Sequence, residues 1–277
     1  MHSSLLHGIT PSDFNATSAI INVADSCQPV GKSYLSGGKM ARYSVIIFVL
    51  LLLSGMFYSI RKKKLTIRGT STGGLMAVLL FVGAGLPAVV IMGVFFLLAS
   101  AATGWKSKKK EFFKLRTDHD TPRTASQVVA NAGFPALLAL GNLFAPHYGE
   151  LGRFLIACCF ASALSDTLSS ELGVVYGKRN FNILTLKPDK RGLDGVVSVE
   201  GFFFGIAGSA LIAFIFILFT GCPAQFLFIV VAGTAGNLCD SVLGASLERR
   251  NLLGNDAVNF LNTFIAACTG AILLQFQ

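Results

Sequence analysis

The sequence predicts an all-α fold: a polytopic transmembrane helical bundle of about eight spans. Three observations carry that prediction. Only 13% of the 277 residues are charged, where a soluble domain has about 25%, and 53% are hydrophobic, with a mean hydropathy of +0.64. Apolar runs recur at close to the roughly 20 residues a helix needs to cross a bilayer. Lysines and arginines crowd into alternate connections between those runs, as positive-inside sorting requires. The same placement disposes of the net charge of +9 as a sign of nucleic-acid binding, because the basic residues flank spans.

The elements follow in order. Residues 1–43 are polar, aperiodic and rich in Ser, Asn and Gly. They have no charged segment followed by an apolar one, so they read as a disordered extension and not as a signal peptide. Met40, with Ala41, Arg42 and Tyr43 directly before the first run, reads as the better translation start. Residues 44–277 read as one membrane domain, with spans near 44–60, 70–85, 87–104, 126–143, 152–174, 198–219, 225–246 and 257–275. The second and third are short and meet at Gly85-Leu86-Pro87, which predicts a tight helical hairpin. Glycines within the spans predict close helix packing. The six cysteines have no metal-ligand spacing and read as small buried hydrophobes.

The connections after spans one, three, five and seven hold 19 of the 23 lysines and arginines. This predicts that they are cytoplasmic and that both termini face outward. The expected setting is a multi-pass protein of a bacterial inner membrane. Of the basic residues, Lys106–Lys110 read as a solvated run touching anionic headgroups.

With that topology the polar residues of the spans collect at the cytoplasmic ends. Gln127 and Asn131 open span four, and Asp166 through Glu171 close span five. Ser198 and Glu200 open span six. Asn237, Asp240 and Ser241 close span seven, and Asn259 and Asn262 open span eight. A carboxylate at mid-bilayer costs about 2.5–3.5 kcal/mol on insertion scales, so such residues are functional candidates. Asp166, Ser169 and Ser170 share a helical face. Glu171 lies about 140° around from Asp166, so the two reach one ion only if the helix ends or unwinds near Gly173. Carboxylate, hydroxyl and amide oxygens are hard ligands suited to Mg2+ held together with substrate phosphates. No histidine lies in these clusters, which argues against zinc.

The segment from Leu184 to Ser198 adds glycines, Lys187, Lys190 and Arg191, and a helix start whose free N–H groups favour anions. No Walker sequence is present, so a nucleotide would be held without a P-loop. Asp166-Thr167-Leu168-Ser169 also parallels Asp240-Ser241-Val242-Leu243, a weak internal repeat of a kind found in transporters as well.

Five stretches in this order resemble a known integral-membrane family, one that includes plastid phytyl-phosphate kinase and animal transmembrane-protein homologues. They are Leu65-Thr66 with Gly69, Gln127 to Gly133, Ser165 to Gly173, Gly192 to Ser198, and Asp240 to Ala245. The run from Asp166 to Gly173 is the most specific. Two positions depart from the family pattern: the Gly192–Ser198 loop lacks a Thr and carries Asp194, and Glu248 stands where Gln is common.

The resemblance implies phosphorylation of a prenyl monophosphate by a CTP-like nucleoside triphosphate. Asp166, Glu171 and Asp240 would be the catalytic and Mg2+-holding residues. Lys187, Arg191 and Arg123 would neutralise phosphate oxygens, Asn131 and Asn259 would orient them, and Gln127, Ser170 and Ser198 would complete the substrate site. Two other classes remain open on the residues alone: a transporter or flippase of a phosphorylated lipid or ion, and a non-catalytic assembly factor. Polar residues confined to one half of the bilayer disfavour the first. Clustered Asp, Glu, Ser and Asn disfavour the second.

Overall fold

The computed structural model describes residues 38–106, Lys110 and residues 122–276. Eight described helices are long and apolar enough to cross a membrane. They are α1 (Gly38–Arg61), α2 (Ile67–Ala84), α3 (Leu86–Gly104), α4 (Ala125–Phe144), α5 (Gly149–Tyr176), α6 (Val199–Thr220), α7 (Gln225–Leu243) and α8 (Asn255–Leu273). Each predicted span therefore has its helix. The reading of the N-terminal extension falls largely on residues 1–37, outside the described residues. Helix α1 begins at Gly38 and takes in Lys39 to Tyr43.

The predicted hairpin between α2 and α3 turns on one residue. Gly85 has φ +86°, a conformation open to Gly because it lacks Cβ, and its N–H donates to the carbonyls of Leu80 and Phe81. Pro87 follows in the first turn of α3, where its missing N–H costs nothing.

The 28-residue α5 is the axis of the bundle, and α3, α4, α6, α7 and α8 all pack on it. Its middle, Ile156 to Ser165, is wholly buried. Small residues allow this. A Cβ on Gly236 of α7 would come within 2.9 Å of the Asn262 carbonyl of α8, so these helices touch backbone to backbone. At the basic ends the Trp105 indole donates to the Tyr176 hydroxyl at 2.9 Å, an aromatic pair of the kind that sits at membrane–water boundaries.

Two features lie outside the spans. A short antiparallel hairpin, β1 (Asn180–Asn182) with β2 (Val196–Ser198), folds the basic loop back over the end of the bundle. After α7 the chain widens into a π turn, Gly244–Glu248. Such turns recur at functional sites.

Candidate functional site

At the basic end the helices open into a cavity of about 1210 Å³. It is walled by the ends of α4, α5, α6, α7 and α8 and roofed by the hairpin loop. Ten of the eleven sequence-predicted site residues line it: Arg123, Gln127, Asn131, Asp166, Ser170, Glu171, Arg191, Ser198, Asp240 and Asn259. Lys187 does not. It is exposed in the loop, where its carbonyl accepts from Asn182.

The centre of the cavity is a pair of aspartates from different helices. Asp166 of α5 and Asp240 of α7 are in side-chain hydrogen-bond contact, so the two halves of the weak repeat meet at one point. Amides and hydroxyls hold them. The Asn262 amide donates to Asp240 Oδ2 at 3.3 Å, and its carbonyl oxygen accepts from Ser162 Oγ. Ser169 Oγ donates to Asn237 Oδ1 at 3.1 Å. Asp194, from the hairpin loop, adds a third carboxylate close enough to act on Asp240 electrostatically.

Glu171 is not part of that pair. Helix α5 runs unbroken through Gly173 to Tyr176, so the 140° separation from Asp166 persists. Glu171 instead accepts from Lys110 Nζ at 2.8 Å, with the two side chains 10% and 0% exposed. The ammonium also reaches the carbonyls of Ala102 and Thr103. Lys110 is thus no headgroup-facing lysine but a buried counter-ion, and the three carboxylates do not converge as one ligand set. Among the described residues no three His, Cys, Asp or Glu side chains form a metal-holding group.

The basic residues divide. Arg123 forms a small parallel backbone bridge with Leu65, its N–H donating to Lys64 O and its carbonyl accepting from Thr66 N–H, and its guanidinium donates to Thr103 Oγ1 at 3.1 Å. Burial pulls its guanidinium down from its ordinary value, and the charges of Glu171 and Asp166 pull it back up. It stays protonated and faces both carboxylates. Arg191 serves the backbone: it donates to Val174 O at 3.1 Å and to Gly177 O, closing the C-terminus of α5. Ser198 caps α6 by accepting from Gly201 N at 3.1 Å. Gln127 closes a capping box with Thr124, and Pro135 removes the helical donor to the Asn131 carbonyl.

Sequence reasoning gave no site role to Asp194, Asn237, Asn262 or Arg249. Arg249 donates to Asp194 O at 2.6 Å and pairs with Asp189 at 2.8 Å, tying the loop to the π turn. That hydrogen bond, with one from Lys190 N–H, lowers the Asp189 pKa. Gly195, at φ +68°, lies where a Cβ would sit 2.3 Å from Ala245. The Asn237 and Asn262 polarity within spans was a readable signal. The Arg249 contact, 55 residues from Asp194, was not.

The Integral membrane protein DUF92 family matches residues 49–267. An uncharacterized membrane protein of Methanocaldococcus jannaschii is 29% identical over 84% of this chain and 95% of its own. One from Synechocystis is 33% identical over 74% and 81%. Protein VTE6, chloroplastic, of Arabidopsis thaliana is 27% identical over 92% and 75%. No solved structure matches significantly. With its cavity, its aspartate pair and all eight spans inside or overlapping the matched region, the chain belongs to the DUF92 family of integral membrane proteins.

Proposed function

We propose that this protein is a membrane-embedded kinase that phosphorylates a prenyl monophosphate with a CTP-like nucleoside triphosphate at the cytoplasmic face. The family, which includes a plastid phytyl-phosphate kinase, supports a membrane function related to prenyl phosphates. The observation that carries the finer reading is the Asp166–Asp240 pair, with Arg123 acting on Asp166, in a roomy cavity at one end of an otherwise apolar bundle.

In this reading an oxygen of the acceptor phosphate attacks the γ-phosphorus. The bond from that phosphorus to the β,γ-bridging oxygen breaks, and its electron pair leaves with the nucleoside diphosphate. The acceptor is already anionic, so no base need remove a proton. Positioning and charge neutralisation dominate such transfers. Arg123 supplies fixed positive charge. The hard oxygens of two carboxylates fit Mg2+, which is commonly held by one or two carboxylates plus substrate phosphates, so Asp166 and Asp240 are the residues that would hold it. When bound, the ion would offset charge on the phosphate oxygens. Glu171 acts at one remove, as the partner of Lys110.

The charge of the loops supports a cavity that opens on the cytoplasmic side, by the positive-inside rule, and the prokaryotic relatives support a bacterial inner membrane. The test is purified protein in detergent with Mg2+, labelled nucleotides and a panel of prenols and prenyl phosphates. Equal yields of prenyl diphosphate and nucleoside diphosphate are expected. No product across the panel, together with lipid movement across sealed vesicles, would replace the kinase by a transporter.

A further inference from the structure

A second, smaller concavity lies outside the polar cavity, between the basic ends of α4 and α8. It has a volume of about 430 Å³ and is lined by Ala125, Val129, Ala130, Ala257 and Phe260, with Ser126 and Asp256 as its polar members. Apart from Ser126 and Asp256 its walls are apolar, and it sits on two membrane-spanning helices that pack together. Asp256 also lines the polar cavity, as do Gln127 and Asn131 of α4 and Asn259 of α8, on the turns that carry the groove residues. The groove and the cavity are therefore two sides of one seam. Alanines at 125, 130 and 257 leave it open. One to two turns deeper, Phe134 of α4 stacks edge-on with Phe260 at 6.0 Å and with Phe264 at 5.2 Å, so aromatic rings close the seam below it.

We propose that the α4–α8 groove is the lateral entry and tail-binding site for the isoprenoid chain of the phosphorylated lipid. The phosphate would pass Asp256 and Asn259 into the polar cavity while the first isoprene units lie on Val129, Ala257 and Phe260. This rests on the prenyl-phosphate reading above. Three features single out the isoprenoid as occupant: the groove lies on two membrane-spanning helices, its walls are mostly hydrocarbon and ring, and it shares Asp256 with the cavity that cationic Arg123 lines.

The test uses a C20 prenyl phosphate with a photoactivatable diazirine on its tail, added to the detergent-purified full chain, with adducts mapped by mass spectrometry. Adducts are expected on Val129, Ala257 or Phe260. Ala257→Trp, which fills the groove, should remove them. The same variant should raise KM for the C20 phosphate roughly tenfold relative to a C5 prenyl phosphate, a shift equivalent to about 1.4 kcal/mol of lost tail contact. Adducts spread evenly over the lipid-facing helices, or unchanged by Ala257→Trp, would overturn the groove. Specific adducts without phosphorylation by any nucleotide would support the groove and reject the kinase reading, so the two fail separately.

Discussion

The buried ion pair between Lys110 and Glu171 makes the sharpest structural prediction. Its N–O distance is 2.8 Å, and the lysine side chain is fully buried. Glu171→Gln keeps the size of the side chain and removes its charge. The Lys110 ammonium is then left among the carbonyls of Ala102 and Thr103, without its carboxylate and without water. Breaking one partner of a buried pair costs about 3–5 kcal/mol, and that is the expected loss in denaturant unfolding of the detergent-solubilised protein. Lys110→Met should cost less, because the Arg123 charge already acts on Glu171 and remains. The double variant, Lys110→Met with Glu171→Gln, removes both charges and should return to within about 1 kcal/mol of wild type, since replacing a buried pair by uncharged groups is often neutral or stabilising. The cycle should thus give a coupling of at least about 2 kcal/mol. Single losses under about 1 kcal/mol, the range of exposed pairs, would refute the placement of Lys110 inside the bundle.

Asp166→Asn and Asp240→Asn should each lower phosphoryl transfer by about 10²-fold or more, the scale of a lost electrostatic group in an active site, with detergent stability retained. Wild-type turnover in both would reject the site, and failure of both to fold would make the pair structural. Gly195→Ala should cost about 1–3 kcal/mol for its left-handed backbone and more from the overlap with Ala245; amide exchange should rise from residue 189 to 198. The Arg249 contact holds Asp189 below its unfolded pKa, so its stabilisation is full above about pH 3.9 and fades only as pH falls further. Proteolysis of the loop should therefore be flat from pH 5 to 8 and rise only below pH 4, and a step near pH 6 would contradict this. An impermeant maleimide applied to intact cells lacking an outer barrier should label Cys at His147→Cys and spare Lys187→Cys; the reverse pattern would invert the proposed orientation.

All eight spans were legible because the bilayer imposes a length and a polarity that sequence displays directly. The one-residue turn at Gly85 was legible for the same reason, as two short apolar runs left room for nothing longer. Asp166 and Asp240 stood out because carboxylates are rare in hydrocarbon stretches. What stayed hidden depended on partners distant in sequence. Lys110 sits in a basic run that reads as solvated, and only Glu171, 61 residues on, marks it as buried. Arg191 has the charge for phosphates but is engaged by carbonyls of Val174 and Gly177. The π turn at Gly244–Glu248 has no composition of its own; it forms where Gly195 presses on Ala245.

The depth of the polar network bears on kinase against transporter. Along the seam between α5 and α8 it runs from Asp240 through Asn262 to Ser162 and stops. Beyond it on that seam come one weak bond, Cys159 Sγ donating to the Thr263 carbonyl at 3.3 Å, and then Cys158 and Phe154 against Gly270. From Ser170 to Ser162 is eight residues, or about 12 Å of helix, under half of the roughly 30 Å hydrocarbon layer. At the other end of α4, the Asn142 amide is spent on Gly83 O at 3.0 Å and joins no chain of polar groups. A phosphate can thus be held at one end of the bundle, but no succession of polar side chains among the described residues leads it across. A lipid kinase needs only the first of these, because its substrate keeps the tail in the bilayer and presents the head at the cavity. Reconstituted protein with labelled prenyl phosphate on one side of sealed vesicles should therefore leave the label's sidedness unchanged over the time in which detergent-solubilised protein phosphorylates it. Protein-dependent equilibration of the label, lost in Asp240→Asn, would require a crossing path that this seam does not supply and would count against the kinase reading.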